Sequence, residues 1–122
     1  GMTVRVEDYA PIIEINNLGK PYMEWIKAGE YDKIYAKSSA RFKNISPRSS
    51  FDEMIQKLKA LGPLSSYQLY QHQVGLLDGQ LIISMVYEAN FGGKEFYVEI
   101  NVGETNKDFV LEGLNLGRQN SE

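Results

Sequence analysis

The stretch YQLYQHQV, residues 67–74, holds the chain's single histidine among tyrosines and glutamines spaced at the period of a β-strand. His72 is the side chain whose ordinary pKa lies closest to neutrality, so it is the candidate general base. With Tyr70 or Tyr87 as hydroxyl donor it would give an isomerase or dehydratase both a proton acceptor and a group to steady developing charge. Such a base contributes on the order of 10²–10⁴ in rate. The competing reading is a polar side chain at a pocket rim, satisfied by a tyrosine or water and without a reaction. No strand carboxylate is placed to orient the imidazole. Glu88, Glu95, Glu99 and Glu112 read onto the opposite face of the sheet, and the helical stripes turn Glu24, Glu30 and Asp32 toward solvent.

Other chemistries are excluded by composition. Without cysteine there is no disulfide, thiolate or cysteine metal site. One histidine rules out a multi-histidine metal centre, and no metal or cofactor is expected. The glycines of GLNLGRQ follow no strand-to-helix turn, so they do not form a phosphate loop. The net charge is −3 and the basic residues are scattered, which does not suit nucleic acid. At 43% hydrophobic and 24% charged residues the composition is globular. No apolar run approaches the roughly 20 residues of a membrane-spanning helix. The 122 residues suit a single domain spanning 1–122. Gly1 ahead of Met2 reads as a cloning remnant, and no signal peptide is visible. A trimmed leader would imply export, and otherwise the chain would be cytoplasmic.

The elements that must position these residues divide into helices over about 8–62 and strands over about 65–117. Asp8 is placed to cap a first helix with Pro11 in its first turn, Ile12, Ile13 and Ile15 as apolar positions and Gly19 closing it. Pro21 restarts a helix carrying Tyr22, Trp25 and Ile26, which Gly29 stops. From Glu30, the positions Tyr31, Ile34, Tyr35, Ser38 and Phe42 form one stripe of an amphipathic helix. In SSFDEMIQKLKALGP, Ser50 and Glu53 have the spacing of a capping box. Ser46 with Pro47 offers a rival start one turn earlier. Phe51, Met54, Ile55, Leu58 and Leu61 supply the inward face, and Gly62 with Pro63 ends the helix.

Glycine turns set the register of the strands. FGGK places Gly92 and Gly93 in a two-residue hairpin loop. Ala89 then faces Phe96, Tyr87 faces Val98, Met85 faces Ile100 and Ile83 faces Val102, all on one apolar side. A one-residue slip would invert both faces. LDGQ makes a second hairpin, with Leu76 opposite Leu81, Val74 opposite Ile83, His72 opposite Met85 and Tyr70 opposite Tyr87. A four-residue loop after Val102 would pair Val102 with Phe109 and Ile100 with Leu111. Gly113 marks a bulge that keeps Leu114 and Leu116 on the apolar side. The result is an α+β fold, with helices on the concave face of a curved four-stranded antiparallel meander. The tail GRQNSE is expected to fray.

The order WIKAGEYDKIYAKSSARFKN, then ISPRSSFDEMIQKLKALGPLSSYQL, then a meander ending in FVLEGLNL resembles small uncharacterised bacterial domains of the cystatin-like and nuclear-transport-factor-2-like cone folds. The likeness covers about residues 20–117. In those domains a short helix follows a turn like AGEY, a capped helix ends in LG, and the last strand often opens on tryptophan, where Phe109 stands here. The resemblance implies the cone architecture. It implies no one chemistry, because such folds include ketosteroid isomerases, dehydratases and hydrolases beside non-catalytic binding and association modules.

The expected site is a concave pocket lined by Trp25, Tyr70, His72, Met85 and Tyr87. Its mixed polar and apolar face suits an apolar or amphipathic small molecule, or a peptide segment, bound without catalysis. The outer sheet face, with Ile82, Val86, Tyr97, Val110, Tyr67 and Leu69, is more apolar than solvent requires, so a homodimer through that face is the expected partner.

Overall fold

The computed structural model describes residues 6–106 and 108–118, with side chains from residue 14 onward. The side-chain roles expected of Asp8, Pro11, Ile12 and Ile13 therefore lie outside the described residues, as does the tail from Gln119. Four helices, α1 (Val6–Ala28), α2 (Tyr31–Ala36), α3 (Ala40–Ile45) and α4 (Arg48–Ala60), precede four strands. These are β1 (Leu64–Leu77), β2 (Gln80–Phe91), β3 (Lys94–Thr105) and β4 (Asp108–Arg118), joined as an antiparallel meander in sequence order. The α+β class and the helices-first order are those the sequence implies.

Apolar alternation builds the sheet's inner face. Ile83, Met85, Tyr87, Ala89 and Phe91 of β2 are buried, as are Val98, Ile100 and Val102 of β3. The helices cover them with Ile15, Tyr22, Met23, Ile26, Ile34, Phe42, Phe51, Ile55 and Leu58, so that one cluster forms the core. Gly92 and Gly93 take φ of +59° and +90°, and the β2–β3 register is the expected one at every rung from Ile83–Val102 to Ala89–Phe96.

The first helix differs from expectation. Gly19 and Pro21 do not divide it: α1 runs unbroken for 23 residues, with Asp8 inside it. Gly19 is needed for contact instead of termination. A Cβ there would stand 2.3 Å from the Tyr87 hydroxyl and 2.8 Å from the Met85 sulfur, so only glycine lets the helix backbone lie directly on the sheet. Gly29 does end α1. Its φ is +76°, its N–H donates to the Ile26 carbonyl at 3.1 Å, and the Glu30 N–H donates to the Trp25 carbonyl at 2.8 Å.

In the stripe from Tyr31 to Phe42, Ile34, Ser38 and Phe42 are buried and Tyr31 and Tyr35 half-buried, but the stripe is not one helix. It breaks between α2 and α3, where Ser38 makes a parallel bridge to Leu111 at the edge of β4. The Ser39 hydroxyl accepts from the Phe42 N–H at 3.0 Å and caps α3. The rival start of α4 prevails. The helix begins at Arg48 with Pro47 as its N-cap residue, which places Ser50 and Glu53 inside the helix, beyond the reach of a capping box.

Two registers also need correction. On β1 the pairing shifts between Leu69 and Gln71, so Leu69 and not Tyr70 faces Tyr87. This bulge carries Tyr67 and Leu69 to the inner face, where they pack against the core, and turns Tyr70 outward. Between β3 and β4 the loop has two residues, not four. Thr105 pairs with Asp108, and Val102 faces Leu111. Asn106 accepts a φ of +47°, which asparagine tolerates better than most residues. The extra residue that restores the face for Leu114 and Leu116 is Glu112, one position before the expected Gly113.

Candidate functional site

The five residues expected to line one pocket are placed apart. Met85 and Tyr87 are wholly buried beneath α1 at Gly19, so side chain and helix backbone fill the space between them. The Tyr87 hydroxyl donates to Asn16 Oδ1 at 3.0 Å, and burial pushes its pKa up to about 12. His72 is half-buried on the same face, directly opposite Met85. Among the described residues it has no hydrogen-bond partner. The tyrosine closest to the expected donor role is already committed to Asn16. Trp25 is half-buried and packs edge-to-face on Tyr22, their ring centres 5.4 Å apart. Tyr70 lies on the outer face at 54% exposure, its ring 5.4 Å from that of Tyr97.

Tyr67 takes the inner position expected of Tyr70. Its ring meets Tyr87 at 5.8 Å in a near-perpendicular arrangement, and its hydroxyl donates to the Glu24 carboxylate. Burial, then that carboxylate, raise its pKa above the ordinary tyrosine value. Glu24, Glu30 and Asp32 are exposed, as their helical phase implies.

Open space on the concave side begins one rung beyond His72. A cleft of about 430 Å³ lies between α1 and the sheet, walled by Ile15, Leu18, Val74, Ile83 and Phe109, with Glu14 as its charged lining residue. Local structure explains the grouping. Glu14 and Leu18 are four residues apart on α1 and Ile15 and Leu18 three, so they share a face. Val74 and Ile83 are a cross-strand pair. Phe109 follows the short β3–β4 turn on the same face. The strand alternation pairs Val74 with Ile83 on the inner side, but a helix ending at Gly19 would leave that rung uncovered, whereas α1 lies continuously over it.

Further grooves lie elsewhere on the surface, and two of them bear on function. One of about 480 Å³ on the outer face is bounded by Tyr70, Gln71, Val86, Tyr97, Glu99 and Leu116 among others. Glu99 there accepts from Asn115 at 3.0 Å. Another of about 540 Å³ lies between α2 and α4. Its charges satisfy each other, Arg48 bonding Asp52 at 2.9 Å as well as Asp32, which is how a solvated helical surface is built.

Glu112 occupies the β4 bulge with its side chain only 8% exposed. It accepts from the Ser39 hydroxyl at 2.6 Å, from Arg41 Nε at 3.2 Å and from Gln80 Nε2 at 3.4 Å. Arg41 also donates to Gln80 Oε1 at 2.7 Å. Gly103 makes room for this network, since a Cβ there would meet Gln80 Nε2 at 2.7 Å. The cluster ties α3 across β4 and β3 to β2. The outer-face placement of Glu112 is as expected; its enclosure comes from α3, which wraps the edge.

Among the described residues, no helix is long and apolar enough to cross a membrane. No group of three or more histidine, aspartate or glutamate side chains there could hold a metal ion. In comparisons with known proteins, no family model and no curated protein matches the chain.

Proposed function

We propose that the protein is a non-catalytic binding domain that holds a small apolar or amphipathic molecule in the cleft between α1 and the sheet. The observation that carries this reading is the cleft itself. Its volume of about 430 Å³ falls in the range of small-molecule sites, and five of its six lining residues are apolar. Among the described residues Glu14 is the sole carboxylate at its wall, so the preferred ligand has an apolar body and a cationic or hydrogen-bond-donating head. The ligand lies one rung from where the sequence put it. Val74 and Ile83 take the place of Met85 and Tyr87 as floor, and His72 stands beside it. The likeness to cystatin-like and nuclear-transport-factor-2-like cone domains belongs to this proposal. Helices laid on the concave face of a meander support it, because such folds house ligands between those layers.

The test is a pair of matched amphiphiles, a medium-chain alkylamine and the fatty acid of equal length, titrated while amide shifts are followed by NMR. The amine is expected to perturb residues 14–18, Val74, Ile83 and Phe109 and to bind more tightly than the acid, with Glu14→Gln removing the preference. Shifts confined to the outer face, or none at millimolar ligand, would defeat the reading.

A second reading, an association module acting through the outer sheet face, is favoured by one observation. The β1 bulge adds Tyr70 to Tyr97 and Val86 there, around the groove of about 480 Å³.

A further inference from the structure

The two edges of the sheet are finished differently. Chain covers the β4 edge at Leu111: the Ser39 N–H donates to the Leu111 carbonyl at 2.9 Å, and the Leu111 N–H donates to the Lys37 carbonyl at 3.0 Å. On the β1 edge, among the described residues, no segment other than β2 bonds the backbone of residues 64–77. An open edge is a template for another strand, and proteins ordinarily blunt it with charge, proline, a bulge or brevity. Over its 14 residues β1 contains no Asp, Glu, Lys, Arg or Pro. Its only such devices are two bulges, at Ser65 and Tyr70, and residues 71–77 beyond them pair with β2 without a shift. On that regular stretch Val74, Leu76 and Leu77 are 55%, 74% and 50% exposed.

Hydrogen-bond phase decides where a second strand would dock. Asp78 and Gly79, at φ of 52° and 80°, form a tight two-residue turn. Leu77 and Gln80 therefore exchange both their hydrogen bonds, and alternate residues back along β1 do likewise. The backbone groups of His72, Val74 and Leu76 consequently point to the free edge.

We propose that this edge is where two copies of the chain associate, pairing antiparallel along residues 71–77 about a two-fold axis at Val74 and joining two four-stranded sheets into one. In that register Val74 faces its own symmetry mate, His72 faces Leu76, and Gln73 faces Gly75. Every outward-pointing backbone group finds its counterpart. The exposed apolar side chains of Val74 and Leu76 are covered on one face, and no like charges oppose. The occupant is a second copy because the pattern is complementary to itself. A charged peptide would find no counter-charge along β1. The contact shares Gln71 with the rim of the outer-face groove and Val74 with the floor of the cleft, but it needs no ligand in either.

The chain has no cysteine, so Val74→Cys introduces a single thiol. Directly paired positions lie about 5.5 Å apart between Cα atoms, within disulfide range. Mild oxidation is expected to give a covalent dimer with Val74→Cys and none with Tyr97→Cys on the outer face. At high micromolar concentration the unmodified protein is expected to sediment at twice its 13.9 kDa chain mass, with slow amide exchange at His72, Val74 and Leu76. Val74→Lys, at an exposed position, is expected to keep the circular dichroism spectrum, sediment at the monomer mass and exchange those amides rapidly. A monomeric unmodified protein, a dimer that survives Val74→Lys, or cross-linking through Tyr97→Cys in place of Val74→Cys overturns the proposal.

Discussion

A missing side chain at position 19 decides how closely helix and sheet approach. The atoms an added methyl would strike belong to buried, rigidly held groups, chief among them the Tyr87 ring and its hydroxyl. Gly19→Ala is expected to cost about 1–3 kcal/mol through overpacking, although alanine is the better helix former. In thermal unfolding, the double variant with Tyr87→Phe should recover part of that loss, because the phenylalanine lacks the oxygen nearest the new methyl. Equal and additive losses would show that the contact is not the cause. Tyr87 also titrates with consequence. Its folded pKa is raised to about 12, so the folded chain keeps a proton that the unfolded chain releases near pH 10. That contribution is complete below about pH 10 and is lost as pH rises through 12. Tyr22 is shifted in the same direction by burial and then the charge of Asp108, and Tyr67 by burial and then Glu24. Denaturant midpoints are expected to fall above pH 10, and less steeply in Tyr87→Phe.

Among the elements, hairpins with glycine turns could be read in sequence because turn chemistry and face alternation specify the same register twice. The Ile83–Val102 ladder and the His72–Met85 rung are examples. The Tyr70 bulge carried no such signal, having no glycine or proline, and it moved one of the five expected site residues to the far side of the sheet. The unbroken α1 was hidden for the opposite reason. Gly19 and Pro21 are breakers by local propensity, and tertiary contact with Tyr87 and Met85 overrides them. Because the cleft depends on α1 continuing past Gly19 to Ile15 and Glu14, the site was legible only on its sheet side, through Val74 and Ile83. The network at Glu112 was likewise invisible, since it requires the chain at Ser38 to bridge β4 from far away in sequence. Glu112→Ala removes the acceptor shared by Ser39, Arg41 and Gln80 and is expected to cost about 1–3 kcal/mol. Hydrogen exchange locates the effect: the amides of Ser39 and Leu111, which close the β4 edge, should lose protection while those of Met85 and Ile100 keep theirs.

For the whole molecule, the helical layer divides the inner face into a filled part and an open part. From Met85 to Phe91 the helices seal β2 completely, whereas around Val74, Ile83 and Phe109 they leave a cleft. A ligand that binds only there binds only the folded chain, so it must raise the unfolding temperature. At a hundredfold excess over its dissociation constant the gain is about 2.7 kcal/mol, several degrees for a domain of this size. An alkylamine should produce this shift, and Glu14→Gln should reduce it without changing the melting temperature of the free protein, since Glu14 is exposed. Phe109→Ala should reduce it too, with some loss of intrinsic stability because that ring also packs against the core. If all three proteins shifted equally, the amine would be acting elsewhere, and the division of the inner face into sealed and receptive halves would have no bearing on binding.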